Sequence, residues 1–201
     1  FINTKVFCSF NQPYKITPVE FNSWMKILKS VPNSVLWLMD YFDLSKANLK
    51  NYAESFGIDS NRIIFSKRMD ISDHLERHKL GDLFLDTFNV NAHTTTSDSL
   101  WAGLPVLTLA GKSFSARVSS SLLTAVGMEE LITENLNDYE KLAIELANNK
   151  TKLINIKQKL KENVKNYPLF NTELYCKNLE TAYKKVYDNY FQGKDPQDFL
   201  I

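Results

Sequence analysis

Cysteine, histidine and glycine are scarce in this sequence, and each scarcity removes a class of function. Of 201 residues two are cysteine, three histidine and six glycine. Cys8 and Cys176 stand too far apart to suggest a metal-ligand pair or a disulfide framework, which fits a reducing compartment, and we expect the cytoplasm. Cys8 falls in an apolar run and reads as an inert core thiol. His74, His78 and His93 lack ligand spacing, so no metal site is expected. With so little glycine there is no G-x-G-x-x-G turn and no P-loop, which disfavours a dinucleotide oxidoreductase or a P-loop ATPase. No apolar run approaches the roughly 18 residues of a membrane span, and no signal peptide is visible. Nor is there an excess of either charge: 24 basic and 23 acidic residues leave a formal +1. Nucleic acid is therefore not an expected partner, and an anionic ligand would have to be held by local geometry.

What is present is apolar residues, 44% of the chain, in a regular alternation. "KVFCSF" (Lys5 to Phe10), "SVLWLMD" (Ser34 to Asp40), "RIIFS" (Arg62 to Ser66), "DLFLD" (Asp82 to Asp86) and "PVLTL" (Pro105 to Leu109) read as buried strands. Helical patterns separate them. The first opens at Thr17-Pro18-Val19-Glu20, a capping box with proline at the first helical position. The others lie near Ser45 to Phe56, near Ser72 to Leu80, and from the threonines to Ala102. Beyond Ser115 the pattern is helical: Ser115 to Val126, Asn137 to Asn148, Thr151 to Asn166 and Thr172 to Gln192. Trp24, Trp37 and Trp101 fall at periodic or strand positions and read as core. The spacing suits βαβ units, so the sequence predicts one doubly wound α/β domain over 1–201, with its core over about 4–130 and a helical tail over about 131–201. Because the chain opens on Phe1 and enters a strand at once, we take it as a piece of a longer protein.

In doubly wound sheets ligands sit beyond the carboxyl ends of the strands, which singles out "FNQPYK", "SKRMDISDH" and "TFNVNAHTTTSD". The third is the most unusual. A helix that starts on a histidine and three threonines presents unpaired N–H groups and the positive end of its dipole to an anion. His93, Thr94 and Thr95 can add side-chain donors, and Asp98 can accept from a ligand hydroxyl. The same pattern also suits a plain helix start with Thr95 or Thr96 as N-cap and Asp98 as a first-turn acid. Gln12 and Lys15 follow the first strand, where Lys15 can bring a point charge to a phosphate; taken alone it also suits a solvated surface lysine. His74 and Arg77, three apart on one helix, can stack on and bond to a base, or can be ordinary residues of a charged helix.

Taken in order, "FNQPYKI", "VPNSVLWLM", "NRIIFS", "LDT", "NAHTTTSDSLWAGLPVLTL", "SARVSSSLLTAVGMEELI" and "PLFNT" resemble the C-terminal lobe of the protein O-GlcNAc transferases and their bacterial and SPINDLY relatives. The resemblance runs from about Lys5 to the end. It implies a Rossmann-like half of a two-lobed, GT-B-type glycosyltransferase that holds the nucleotide of UDP-GlcNAc. By that resemblance Gln12 and Lys15 belong to the donor site, with Lys15 on the diphosphate as the catalytic residue. His93, Thr94 and Thr95 match residues at the phosphates, and Asp98 one at the ribose. His74, Arg77 and the backbone near Met69 match residues beside uracil. It also implies inverting transfer to Ser or Thr without an essential metal or other cofactor, and a protein acceptor recognised by an N-terminal lobe and tetratricopeptide repeats that this sequence does not contain. On its own the chain is then expected to be inactive. One departure stands out: where animal members carry a lysine shortly before the base-binding histidine, this chain has Ile71. Sister chemistries remain in view, namely GDP-fucose transfer to protein or glucosyl transfer to asparagine, as does a non-catalytic nucleotide- or partner-binding module.

Overall fold

Six parallel strands form the centre of the structure, a computed structural model that describes residues 4–200. Residues 1–3 and 201, part of the expected 1–201 domain, lie outside the described residues. The strands are β1 (Lys5–Ser9), β2 (Ser34–Met39), β3 (Ile63–Ser66), β4 (Leu83–Leu85), β5 (Val106–Leu109) and β6 (Ile132–Thr133). They lie side by side in the order β3-β2-β1-β4-β5-β6. The chain winds outward from β1 in one direction, then returns to lay β4 on the other side of β1. Phe7 of β1 therefore pairs with Leu36 of β2 on one flank and Leu83 of β4 on the other. The topological switch lies between β1 and β4, where the connections leaving the two strands diverge and open a crevice at their carboxyl ends.

The crossovers are helices α1 (Pro18–Ser30), α2 (Asp43–Ser55), α3 (Ile71–His78), α4 (His93–Trp101) and α5 (Val118–Ala125). Three more follow: α6 (Leu136–Asn148), α7 (Lys150–Asn166) and α8 (Thr172–Phe191). Helix α1 begins as its sequence dictates, with Pro18 in the first turn and the Thr17–Glu20 capping box formed. Its apolar stripe of Phe21, Trp24, Met25, Ile27 and Leu28 is buried, each such side chain contributing about 1.5–3 kcal/mol on leaving water. Helix α6 packs on α1, and Trp24 Nε1 donates to the hydroxyl of buried Tyr139 at 3.3 Å. Helix α7 adds Leu153, Ile156 and Leu160 to the same core. Cys8 is buried, and burial pushes its thiol pKa far up, so it is a packing residue.

Three expectations change. The sheet has a sixth strand, Ile132–Thr133, just past the start of the expected helical tail; two residues are too short to show a strand period. Trp101 is not core but 57% exposed. Helix α4 turns Thr96, Ser99 and Leu100 inward, and the next position is rotated about 100° away. Trp101 there lies edge-on to Phe170, ring centres 5.2 Å apart. Trp37, also expected in the core, is half-buried, with Nε1 donating to Ser66 Oγ at 2.9 Å. Helix α8 has no buried residue at all. Among the described residues no helix is long and apolar enough to cross a membrane.

Candidate functional site

Two connections meet at the switch point. After β1 the chain makes a short 3-10 turn over Pro13–Lys15, closed by the Lys15 N–H on the Gln12 carbonyl at 3.0 Å. The turn aims the Lys15 side chain across the crevice, where its ammonium donates to the Asn91 carbonyl at 2.8 Å. Lys15 is half-buried; burial pulls its pKa down, and the Asp86 carboxylate works against that pull. Gln12 is half-buried beside the turn.

After β4 the chain runs through Asp86–Ala92 into α4. The N-cap is Ala92, whose methyl side chain cannot cap, and no side-chain capping bond forms there among the described residues. Neither Thr95 nor Thr96 is the N-cap, which corrects the plain-helix alternative. Thr96 lies inside the helix with its hydroxyl 2.7 Å from buried Ser119 Oγ. The helix thus starts at His93, and the N–H groups that any first turn leaves unpaired are those of His93, Thr94 and Thr95. Thr94 is exposed and Thr95 half-buried. His93 Nε2 lies 3.2 Å from the Ser115 carbonyl; a carbonyl only accepts, so Nε2 is the donor. Asp98 sits half-buried further along α4, and burial raises its carboxyl pKa. A helix start without a side-chain cap, with threonine hydroxyls that have no partner among the described residues and a lysine beside it, can bind an anion.

The loop between β3 and α3 lines a cavity of about 220 Å³ beside this start, with Phe10, Met39, Tyr41, Arg68, Met69, Ile71, His74, Arg77 and Thr95 in its wall. Met69, His74 and Arg77 therefore share one cavity with Thr95 of α4. Arg77 is buried; its Nη1 donates to the Lys67 carbonyl at 2.9 Å and to Ser66 Oγ at 3.1 Å. Its guanidinium carbon lies 4.7 Å from the centre of the Phe10 ring. Much of its donor fork is thus spent on holding the loop, while buried Nε has no partner among the described residues. His74 lines the cavity with its pKa pushed down to about 4 by burial and by neighbouring His78 and Arg77, so it is a neutral ring at physiological pH. His78, given no role in the sequence reading, is buried beneath it, and Nδ1 donates to the His74 carbonyl at 2.6 Å.

Sequence reasoning overlooked the apolar wall of this cavity, Phe10, Met39 and Tyr41, because strand-end apolar residues look like any others. Asp86, in "LDT", is likewise a functional residue that the sequence pattern does not single out. A carboxylate ending an apolar strand is the signal that could have found it.

Fold and site define a doubly wound α/β lobe with an uncapped helix start and a lysine at its switch point. The chain belongs to glycosyl transferase family 41, whose match covers residues 3–179. Over 98% of its length it is 39% identical to the Arabidopsis thaliana probable UDP-N-acetylglucosamine–peptide N-acetylglucosaminyltransferase SEC, and spans 20% of that protein. It is 33% identical to the Arabidopsis thaliana protein SPINDLY, described in the same words, covering 94% of this chain and 21% of the relative. The structure of a mutant O-GlcNAc transferase from Thermobaculum terrenum superposes with a TM-score of 0.88 at 27% identity, over 95% of this chain and 37% of that one. The architecture is that of one lobe of a GT-B glycosyltransferase, and the chain spans about a fifth of the curated relatives it matches.

Proposed function

We propose that this lobe is the donor-binding half of an inverting protein O-glycosyltransferase that moves GlcNAc from UDP-GlcNAc to a Ser or Thr hydroxyl. The observation that carries the reading is the pairing of Lys15 with the uncapped start of α4, across the switch point of the sheet. As the glycosidic bond breaks, the anomeric carbon gains positive character and negative charge collects on the leaving diphosphate. Donors already aimed at that charge lower the barrier without having to reorganise. Lys15 supplies a point charge, the first turn of α4 supplies N–H groups, and Thr94 and Thr95 supply hydroxyls. His93, at the head of the helix, faces the same phosphates, and Gln12 flanks them. Uracil fits the small cavity between His74 and Met69, and Asp98 takes a ribose hydroxyl. In this reading no metal or other cofactor is required, because cationic and N–H donors carry the leaving-group charge.

The relatives' names support UDP-GlcNAc as donor and a peptide as acceptor. We assign acceptor recognition to the rest of the intact protein. Helix α8 is placed against that remainder, because Tyr175, Tyr183, Val186, Tyr187, Tyr190 and Phe191 stand exposed along it. We place the reaction in the cytoplasm.

Calorimetric titration with UDP, with GDP as competitor and Lys15→Ala as control, tests the reading. UDP is expected to bind in preference to GDP, and Lys15→Ala to weaken it by about tenfold to a hundredfold, the worth of a hydrogen bond to a charged group. Preference for GDP would move the protein to fucosyl transfer, and wild-type affinity in Lys15→Ala would remove Lys15 from the site.

A further inference from the structure

The loop that presents the helix start is built around one carboxylate that the donor reading leaves unused. Asp86 directly follows β4 and is fully buried. Its Oδ1 accepts the N–H of Thr87 and the N–H of Ala92, each at 2.8 Å. Those two residues are the two ends of the loop, so one oxygen closes Thr87–Ala92 into a ring. Oδ2 accepts the Thr108 hydroxyl at 2.7 Å, which ties the same group to β5. Its backbone carbonyl accepts from the Tyr139 hydroxyl of α6 at 3.3 Å.

Neighbouring groups brace the ring. Glu20, buried in α1, accepts the Phe88 N–H at 3.0 Å. Asn11 donates to the Thr87 hydroxyl at 2.9 Å, and that hydroxyl donates to the Val90 carbonyl at 2.6 Å. Asn91 donates to the Thr87 carbonyl at 2.7 Å. The ring leaves the Asn91 carbonyl pointing at Lys15 and delivers Ala92 as a cap without a side chain. Among the described residues every polar contact of the carboxylate is with a donor. Burial pushes its carboxyl pKa up, and these donors pull against that rise.

We propose that Asp86 is a positioning residue of the donor site: by closing the Thr87–Ala92 ring it fixes the carbonyl on which Lys15 is seated and the helix start that meets the phosphates. This rests on the nucleotide-sugar reading above and extends it to a residue that touches no donor atom. The charge has a second consequence. Asp86 is the ionisable group acting on Lys15, and Lys15 is the cation facing the site from the β1 side. Burial lowers the pKa of the half-buried Lys15 ammonium, and a negative charge at Asp86 works against that fall.

Two readouts in the intact protein separate positioning from simple stabilisation. The first needs no ligand: an unprotonated amine reacts with an acylating reagent and an ammonium does not. The pH dependence of Lys15 acylation, read by peptide mass spectrometry, therefore reports its titration. In Asp86→Asn, which keeps the shape and removes the charge, the Lys15 titration is expected to move to lower pH. An unmoved titration would overturn the coupling. The second is UDP affinity. Removing a negative charge beneath an anion site would, on electrostatics alone, tighten UDP. If Asp86 holds the site in place, Asp86→Ala weakens UDP instead, by about tenfold. Thr108→Val, which cuts one tie and leaves the charge, weakens it less and leaves the Lys15 titration in place. Unchanged or tighter UDP in a folded Asp86→Ala protein would overturn the positioning role. A wild-type protein that binds no UDP, with the Lys15 titration moving as stated, would remove the donor reading and support the Asp86–Lys15 coupling.

Discussion

Lys15 and His78 show how burial gives a side chain a role that its identity alone does not. Lys15 suits a solvated surface lysine by its sequence alone, and in the structure it is half-buried with its ammonium on a loop carbonyl at 2.8 Å. His78 sat in a run of charges and turned out to be fully buried under Phe10, ring centres 4.9 Å apart. Its pKa is pushed down to about 4 from an ordinary 6.5, first by burial, while its own bond to His74 works in the opposite direction. His74 is pushed to the same region. In the unfolded chain both take up a proton near the ordinary value, and in the folded chain both resist it until about 4. The unfolded state thus binds more protons in that window, and stability falls as pH drops through it. His78→Gln, which can still donate to the His74 carbonyl, is expected to flatten this loss by about one of the two protons. Denaturant melts across the acid range measure the slope; an unchanged slope would mean that His78 is not the neutral buried ring described here.

At the scale of elements, helix ends carry the information. Gly103 closes α4 at φ +83 with open space where a Cβ would be, and Gly127 closes α5 at φ +67 with the Tyr167 ring there. Both need the left-handed region, which costs an L-residue about 1–2 kcal/mol. Gly103→Ala should lose about that much. Gly127→Ala should lose more, because the Tyr167 ring must also be displaced. Equal shifts in melting temperature would contradict the difference. The two ends of α4 obey opposite logic: its C-terminus is closed by glycine in the usual way, while its N-cap, Ala92, makes no side-chain capping bond. The sequence marked that start by its histidine and threonines, and placed it within a few residues. It could not show that Ala92 would be the cap, since that follows from the ring held by Asp86, whose bonds reach to β5 and α6.

Across the whole molecule, the described chain divides into a buried sheet with its covering helices and one helix that the sheet does not need. No residue of α8 is buried. Removing residues 172–201 is expected to change the stability of the remaining lobe by no more than about 1 kcal/mol, the range of surface changes away from any core. In the intact protein the same truncation is expected to abolish transfer, if α8 rests on the remainder as proposed. Thermal melts of the lobe and turnover by the full protein measure the two halves of this expectation, and a large loss in the lobe itself would show that α8 belongs to its core.

Sequence by itself determined the alternation of strand and helix, because apolar runs of strand length and amphipathic helical stripes are written locally. It also placed a lysine and a histidine–threonine helix start at the carboxyl ends of the strands, in "FNQPYK" and "NAHTTTSD". Strand order was not local, and neither was the return that puts β4 beside β1 and makes those two loops neighbours. The tertiary structure alone brought Lys15 onto the Asn91 carbonyl, 76 positions away in the chain. It alone turned Trp101 out to solvent and drew His78 under the sheet. Those outcomes depend on which faces meet when the layers pack, and a pattern read along one strand or one helix holds no record of its neighbour.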